Sequence, residues 1–267
     1  MTASPAQSAA EHDVSYALRD GIATLTLNRP TRYNTLTSEV IATMSGHLAA
    51  IAASDEVRVV IVAATGKAFS TGHCLKEMNA NRDEAFYRHL LAACSRMMQA
   101  IVALPQPVIA QVQGIATAAG CQLVASCDLA VAARSARFAT NGIANGLYCA
   151  TPSVALSRVV QRKHALEMLL TGDFIDAARA AEIGLVNHVV DDLALEQTTR
   201  ALAGRIAEKS QYAVRLGKAS FYRQIDQGLD SAYRSTAEEL VCNLLATDGI
   251  EGLNAFIEKR APQWQDR

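Results

Sequence analysis

The segment 57-VRVVIVAA-64 is the feature that most constrains the fold of this chain. It is almost wholly apolar and rich in β-branched residues, and 65-TG-66 ends it. Such a run predicts a strand buried on both faces, as in a parallel sheet covered by helices. Residues 107–112 and 129–133 have the same character, and a helical pattern at 84–104 separates the first two runs. The order strand, helix, strand predicts parallel β units joined by right-handed crossovers.

The parts of the chain on either side follow other patterns. Residues 14–27 alternate apolar and polar around 20-DG-21, which predicts a β-hairpin, and 37–53 has helical spacing. Beyond residue 150 the pattern is helical except for an extended stretch at 185–190. The helices predicted there are 153–161, 163–171, 176–183, 193–209, 228–246 and 249–259.

These patterns divide the chain into three parts. We predict a disordered tail at 1–13, an α/β core over 14–200, and a helical C-terminal oligomerisation region over 201–267. A chain of 267 residues is long enough to bury a sizeable core. We therefore expect it to fold without disulfides or a structural metal.

Charge and cysteine content narrow the class of partner. The formal net charge is -1 with 19% charged residues, so no overall field favours nucleic acid or an anionic membrane. The six cysteines show neither zinc-site nor disulfide spacing, and the first residues lack the features of a targeting segment. No apolar run reaches the roughly 20 residues that span a bilayer. We expect a cytoplasmic protein whose partners are small molecules or other protein chains.

Two segments of small residues, 67-KAFSTGHCL-75 and 113-QGIATAAGCQL-123, lie where strands end. Small side chains let a ligand approach the backbone, and a helix start offers unpaired N–H groups with a favourable dipole. Two converging amides would form an oxyanion hole, a pair of donors for a negatively charged oxygen. Turns of this kind also occur as ordinary packing, so the residues alone leave both readings open.

Four segments resemble the enoyl-CoA hydratase/isomerase (crotonase) family. They are 28-NRPTRYNTL-36, 67-KAFSTGHCLKEM-78, 107-PVIAQVQGIATAAGCQLVASCDLAVA-132 and 254-NAFIEKRAP-262. The resemblance implies an α/β fold, a crotonase-like spiral of ββα units with a helical C-terminal trimerisation part. It also implies an acyl-CoA substrate and a homotrimer or hexamer. No separate cofactor is expected, because coenzyme A is part of the substrate.

Residue by residue, the resemblance places the two oxyanion amides on Thr71 and Ala119. They would hold the thioester carbonyl oxygen and draw electron density from C2 and C3 of the acyl group. Small residues beside these amides are expected to border the substrate. These are Ser70, Gly72 and Gly120.

The two carboxylates that a family hydratase uses to position water and carry its proton are both absent. The resemblance places them at Gln122 and Gly142. An amide neither accepts nor releases a proton near neutral pH, and glycine has no side chain. Losing one general acid or base typically costs about 10²–10⁴ in rate. One branch of the family, similar also in 138-FATNGIANGLYCATPSVALSR-158 and 164-HALEMLLTG-172, carries Gln and Gly at the same positions, so chance decay is the weaker explanation.

Other side chains are candidates for proton transfer or substrate contact. His73 suits proton transfer by its near-neutral pKa, or it stabilises the loop or faces CoA. Asn141 and Asn145 are candidates for orienting a water or capping a turn, and Tyr148 for donating a hydrogen bond or lining the acyl pocket. Three cations are candidates for the CoA phosphates or are ordinary solvated charges. These are Arg32, Lys76 and Lys259.

Three functions remain open from the sequence. The first is an enoyl-CoA hydratase/isomerase-type lyase with weak or altered hydration. The second is an acyl-CoA thioesterase or isomerase in which Gln122 holds a water and His73 or an asparagine takes part. The third is a non-catalytic acyl-CoA binder, which needs the amides but no proton carrier. A pure oligomer scaffold leaves the two small-residue segments unexplained.

Overall fold

The structure is a computed structural model that describes residues 13–267. Its strands are β1 (Val14–Arg19), β2 (Ile22–Leu27), β3 (Val59–Ala64), β4 (Ala68–Ser70), β5 (Val108–Val112), β6 (Ile115–Thr117), β7 (Leu129–Ala133), β8 (Arg137–Ala139), β9 (Ile175–Asp176) and β10 (His188–Val190). Its α-helices are α1 (Ser38–Ala52), α2 (Leu75–Ala80), α3 (Glu84–Ala103), α4 (Ala119–Ser126), α5 (Ala150–Val159), α6 (Arg162–Thr171), α7 (Ala177–Glu182), α8 (Leu195–Ala207), α9 (Gln211–Gln224), α10 (Leu229–Leu245) and α11 (Thr247–Glu258). The predicted tail at 1–13 lies outside the described residues apart from Asp13.

The larger sheet confirms the predicted strands and their parallel pairing. Its order is β1-β2-β3-β5-β7-β10. Strands β1 and β2 form the predicted antiparallel hairpin, in which Arg19 pairs with Ile22. The remaining neighbours are parallel. The buried run at 57–64 therefore lies in the middle of the sheet as β3, where both faces are covered.

A second, smaller sheet was not predicted from the sequence. Its order is β4-β6-β8-β9. Strands β4, β6 and β8 have three residues each, too few to show an alternating pattern. From β3 to β8, successive strands alternate between the two sheets, so each turn of the chain contributes one strand to each. This alternation is a spiral of ββα units.

The helices cover the two faces of the larger sheet unequally. One face packs against α1, α3 and α4 in the main core, which includes Met44, Met97 and Leu123. The opposite face forms a smaller core in which Ile61 and Ile109 pack near Leu195 and Ala203 of α8. The first turn of α4 is completely buried, because α4 lies inside the main core.

A buried ion pair joins the C-terminal helices to this core. Lys218 of α9 donates to Asp128 Oδ2 at 2.6 Å, and Tyr222 donates to Asp128 Oδ1 at 2.8 Å. The same carboxylate accepts the Val108 N–H at 2.6 Å. The sequence did not predict α9, because its buried face lacks an apolar stripe and Gln211 is its one fully buried residue. The other C-terminal helices lie close to their predicted bounds.

Within the described residues, no single helix is long and apolar enough to cross a bilayer. The pair α10 and α11, bent by 72° at their junction, together has the length and apolar composition of a broken span.

Candidate active site

The two small-residue segments predicted from the sequence are in direct backbone contact. A Cβ on Gly72 would lie 2.9 Å from the Ala119 nitrogen, and a Cβ on Gly120 would lie 2.1 Å from the Ser70 carbonyl oxygen. Gly72 also has φ +79°, which favours glycine. The close approach of these two segments therefore requires glycine at both positions.

The loop after β4 leaves one of its four amides free. The Thr71 N–H donates to Tyr33 O at 3.2 Å and the Cys74 N–H to Leu36 O at 3.3 Å. The Gly72 N–H donates to Ser70 Oγ at 3.2 Å. Within residues 13–267, the His73 N–H has no acceptor. The prediction of Thr71 as an oxyanion donor is therefore wrong in this geometry, and the free amide of this loop is that of His73.

The second predicted amide, that of Ala119, is free. Ala119 is the first residue of α4, so its N–H has no acceptor within the helix, and none is found elsewhere in the described chain. The preceding residue, Ala118, has φ 49° and ψ -119°, a conformation that costs a non-glycine residue about 1–3 kcal/mol. Strain of this kind persists where the surrounding structure fixes it. The two unpaired N–H groups, those of His73 and Ala119, thus both lie next to Gly72: the first follows it in the chain, and the second packs against it.

The side chain of His73 is largely buried beside its own free amide. Its Nε2 atom has no partner among the described residues. Burial lowers the pKa of the imidazole below 6.5, and the negative charge of Glu77 opposes this shift only in part. The imidazole is therefore neutral at pH 7. Because protonation is easier in the unfolded chain, this group reduces stability as the pH falls below 6.5 towards its lower folded-state pKa.

Gln122 lies one helical turn after Ala119 in α4. Its side chain is 5% exposed, and its Oε1 atom is buried without a partner in the described chain. An unpaired buried acceptor costs about 1–3 kcal/mol. The amide is therefore available to a donor that the chain itself does not supply, such as a bound water or a ligand group.

Gly142 lies in a short 3-10 turn, 141–145, that closes tightly on the segment after it. A Cβ here would lie 2.4 Å from Leu147 O and 2.9 Å from Cys149 Sγ. No acid fits at this position unless the turn moves. Burial raises the pKa of Cys149, with a backbone hydrogen bond from Gly142 acting against it, so this thiol is neutral at pH 7.

The remaining predicted residues lie around the site or at the surface. Asn141 is half-buried in the 3-10 turn. Arg32 and Lys76 are exposed near the loop after β4, and α11, which ends beside Lys259, packs against α9 and α10. Asn145 is exposed and Tyr148 is 47% exposed, so the single chain does not enclose them in a pocket.

The structure reveals one residue of the site that sequence reasoning missed. Asn34 is 1% exposed, has φ 51°, and donates to Thr65 O before β4 and to Ala68 O at the start of β4. Asparagine tolerates a positive φ better than most residues. The signal was present in 28-NRPTRYNTL-36, where Asn34 follows an Arg-Pro turn.

The loops hold no metal-ligand cluster among residues 13–267, and a cavity between α1 and α3 lies apart from the predicted site residues. Among residues 13–267, no group of three or more His, Cys, Asp or Glu side chains is placed to hold a metal ion. A cavity of 370 Å³ lies between α1 and α3, and its lining contains none of the predicted site residues.

Comparison with known proteins supports the resemblance. The family model described as Enoyl-CoA hydratase/isomerase matches residues 17–267. Enoyl-CoA hydratase domain-containing protein 3 of Xenopus laevis is 46% identical over 91% of this chain and 83% of its own length. The crystal structure of the human protein of that name has a TM-score of 0.93 at 44% identity, covering 95% of this chain and 100% of its own. An enoyl-CoA hydratase structure from Mycobacterium smegmatis has a TM-score of 0.94 at 49% identity, covering 95% and 99%. The predicted family, branch and fold class are confirmed.

The same comparison corrects the expected compartment. The rat, Xenopus laevis and human relatives are all named as mitochondrial proteins. The prediction of a cytoplasmic protein is therefore wrong, and the relatives point to mitochondria. Composition carries no signal for this distinction.

The contact between the two loops predicts the effect of Gly120→Ala. The added methyl would overlap the Ser70 carbonyl oxygen, so the loops must separate, and we expect unfolding to become about 1–3 kcal/mol easier in a urea titration. Gly204→Ala in α8 is the matched control, since a Cβ there meets no atom within 4 Å. It should raise stability by about 0.5–1 kcal/mol. Wild-type stability in Gly120→Ala would contradict the close contact.

Proposed function

The chain belongs to the enoyl-CoA hydratase/isomerase family, and we propose that it binds the thioester of an acyl-CoA through the backbone amides of His73 and Ala119. The observation that carries this proposal is the pair of unpaired N–H groups on two touching loops. The loops follow β4 and β6, which are parallel neighbours, so both leave the small sheet at the same edge. Small residues at this edge leave room for a carbonyl group.

Two amide donors on a thioester oxygen polarise the acyl group without any proton carrier. They stabilise the negative charge that develops on oxygen when C2 loses a proton or when a nucleophile adds. In other enzymes, removing one such donor lowers kcat by about 10²–10³. The site therefore supports chemistry that passes through a thioester enolate or a tetrahedral intermediate.

The side chains around these amides are poorly suited to ordinary hydration. Gln122 orients a water or a hydroxyl by hydrogen bonds but does not transfer its proton. Gly142 is held in a closed turn that has no space for an acid. His73 is neutral at pH 7 and has a free ring nitrogen, so it is the candidate proton carrier for isomerisation or thioester hydrolysis.

A second candidate function is acyl-CoA binding without turnover. The observation that favours it is that neither acid position holds a group able to carry a proton. A binder needs only the two amides, an apolar acyl site and cations for the CoA phosphates. Arg32 and Lys76 near the loop after β4 are the cations that this proposal assigns to coenzyme A, and Lys259 joins them if another copy of the chain brings it near.

A homotrimer or hexamer is the assembly that this proposal includes. The two last helices expose large apolar side chains to solvent in the single chain. These are Leu229, Tyr233, Leu240, Leu244, Leu245, Leu253, Phe256 and Ile257. Apolar surface of this extent on a pair of helices is typical of a protein–protein contact. Burial in a subunit interface also accounts for the apolar composition of α10 and α11.

A panel of acyl-CoAs separates the candidate functions. Purified protein is mixed with crotonyl-CoA, 3-butenoyl-CoA and butyryl-CoA, and both binding and conversion are followed by calorimetry and chromatography. We expect binding of all three, with hydration of crotonyl-CoA far slower than a two-carboxylate hydratase achieves. Rapid hydration would contradict the roles assigned to Gln122 and Gly142. Absence of binding to any thioester would contradict the proposed function.

The replacement Gln122→Glu tests the position of the missing acid. A carboxyl group here supplies a proton carrier beside the polarised thioester, and burial raises its pKa towards neutrality. We expect hydration of crotonyl-CoA to increase by at least about tenfold, because one general acid or base contributes about 10²–10⁴. Gln122→Met is the control, because methionine is of similar size but has no ionisable group, and it should not increase the hydration rate. An unchanged rate with intact crotonyl-CoA binding would place Gln122 away from the reacting carbons.

The assembly is tested by Phe256→Glu, because this side chain is 84% exposed in the single chain. A charge buried in a subunit contact is costly, so we expect the variant to shift towards monomer in light scattering coupled to gel filtration. Leu193→Glu is the control, since Leu193 is fully exposed outside α10 and α11. A wild-type monomer, or an oligomer insensitive to Phe256→Glu, would overturn this interface.

A further inference from the structure

The side chain of Asn34 connects three segments around β4. Its Oδ1 atom accepts the Arg29 N–H at 2.7 Å. Its Nδ2 group donates to Thr65 O and to Ala68 O, each at 2.8 Å. The carboxamide thus uses its oxygen and both its hydrogens within the chain, which fixes the position of the Asn34 backbone beside β4.

Ser70 transmits this position to the loop that carries His73. The Ser70 hydroxyl donates to Asn34 O at 2.9 Å and accepts the Gly72 N–H at 3.2 Å. A hydroxyl has one proton. Because Ser70 donates that proton to Asn34 O, its oxygen can only accept the Gly72 N–H. The Ser70 side chain is completely buried, and water does not compete for these bonds.

The neighbouring residue Leu36 fixes the next peptide group. The Leu36 N–H donates to Gly72 O at 2.8 Å. In a trans peptide the C=O and N–H groups point in opposite directions, and the structure has no cis peptide among the described residues. The His73 N–H, which shares a peptide group with Gly72 O, is therefore turned away from Leu36.

We propose that Asn34 and Ser70 are positioning residues that orient the His73 N–H towards the thioester oxygen. This inference rests on the proposed function, since it assigns a task to the same amide. Both side chains are buried and hydrogen-bonded within the chain. They act through the Thr71–Gly72 and Gly72–His73 peptide groups, which the segment from Asn34 to Leu36 holds on both sides.

A merely structural role predicts a different outcome from a positioning role. If Ser70 only stabilises the fold, its loss weakens every ligand to the same extent or weakens none. If it orients an oxyanion donor, its loss affects ligands that have a thioester carbonyl and spares those that lack it. Butyryl-CoA and the thioether S-butyl-CoA form such a pair, because they differ only at C1, which is a carbonyl group in the first and a CH2 group in the second.

The experiment measures the affinity of both ligands for the full chain and for Ser70→Ala. We expect the wild type to prefer butyryl-CoA, and Ser70→Ala to reduce that preference by about five- to tenfold while S-butyl-CoA affinity is unchanged. Ser210→Ala is the matched control. It also removes a buried hydroxyl, the one that caps α9 by accepting the Ala213 N–H, and should leave the preference intact.

Asn34→Asp is the second variant. It keeps the oxygen that accepts the Arg29 N–H but loses both donors to Thr65 O and Ala68 O, so it should reduce the preference in the same way. The infrared carbonyl frequency of butyryl-CoA labelled with ¹³C at C1 gives an independent readout. Binding to the wild type should lower this frequency, and binding to either variant should lower it less.

The outcomes separate the two proposals. A wild type that shows no preference for butyryl-CoA and no shift of the carbonyl frequency would overturn the proposed function itself. A wild type with both effects, together with a Ser70→Ala variant that retains them, would leave the proposed function standing and overturn the positioning role. The positioning role would also be overturned if Ser70→Ala weakened butyryl-CoA and S-butyl-CoA to the same extent, as Ser210→Ala does.

Discussion

The contact between the Ser70 backbone and the first turn of α4 is the constraint on which the rest of the site depends. A Cβ at Gly120 would lie 2.1 Å from Ser70 O, so the helix can approach this closely only with glycine as its second residue. The contact exists because β4 and β6 are parallel neighbours in the small sheet and release their loops at one edge. The spiral of ββα units is thus what brings two free amides to the same place.

The chemistry of the site follows from what surrounds those amides. Two backbone N–H groups are free, whereas Gln122 and Gly142, at the positions that the resemblance assigns to the hydratase carboxylates, have no side chain that carries a proton. Gln122 offers a buried oxygen without a partner, and the turn at Gly142 is closed by Leu147 O and Cys149 Sγ. The turn therefore has no space for a larger side chain at position 142.

The sequence predicted those elements whose pattern is long enough to be read. The hairpin, the buried strands β3, β5 and β7, and most helices agree within a few residues. The three-residue strands of the small sheet carry no periodic signal, and α9 has no apolar stripe. The bonds from Asn34 to Thr65 and Ala68 and those of Asp128 were also missed, because these partners lie between 20 and 94 residues away in the chain.

The sequence by itself determined the family and the fold class, since these depend on residue identity and on patterns within single segments. The tertiary structure decided which amide is free. Thr71 and His73 are neighbours in one loop, and their own side chains do not distinguish their N–H groups. The carbonyl of Tyr33, 38 residues before Thr71, occupies the first, while the bond from Leu36 to Gly72 O turns the second outwards. Whether a backbone N–H is free depends on residues far away in the sequence, and only folding brings those residues close to it.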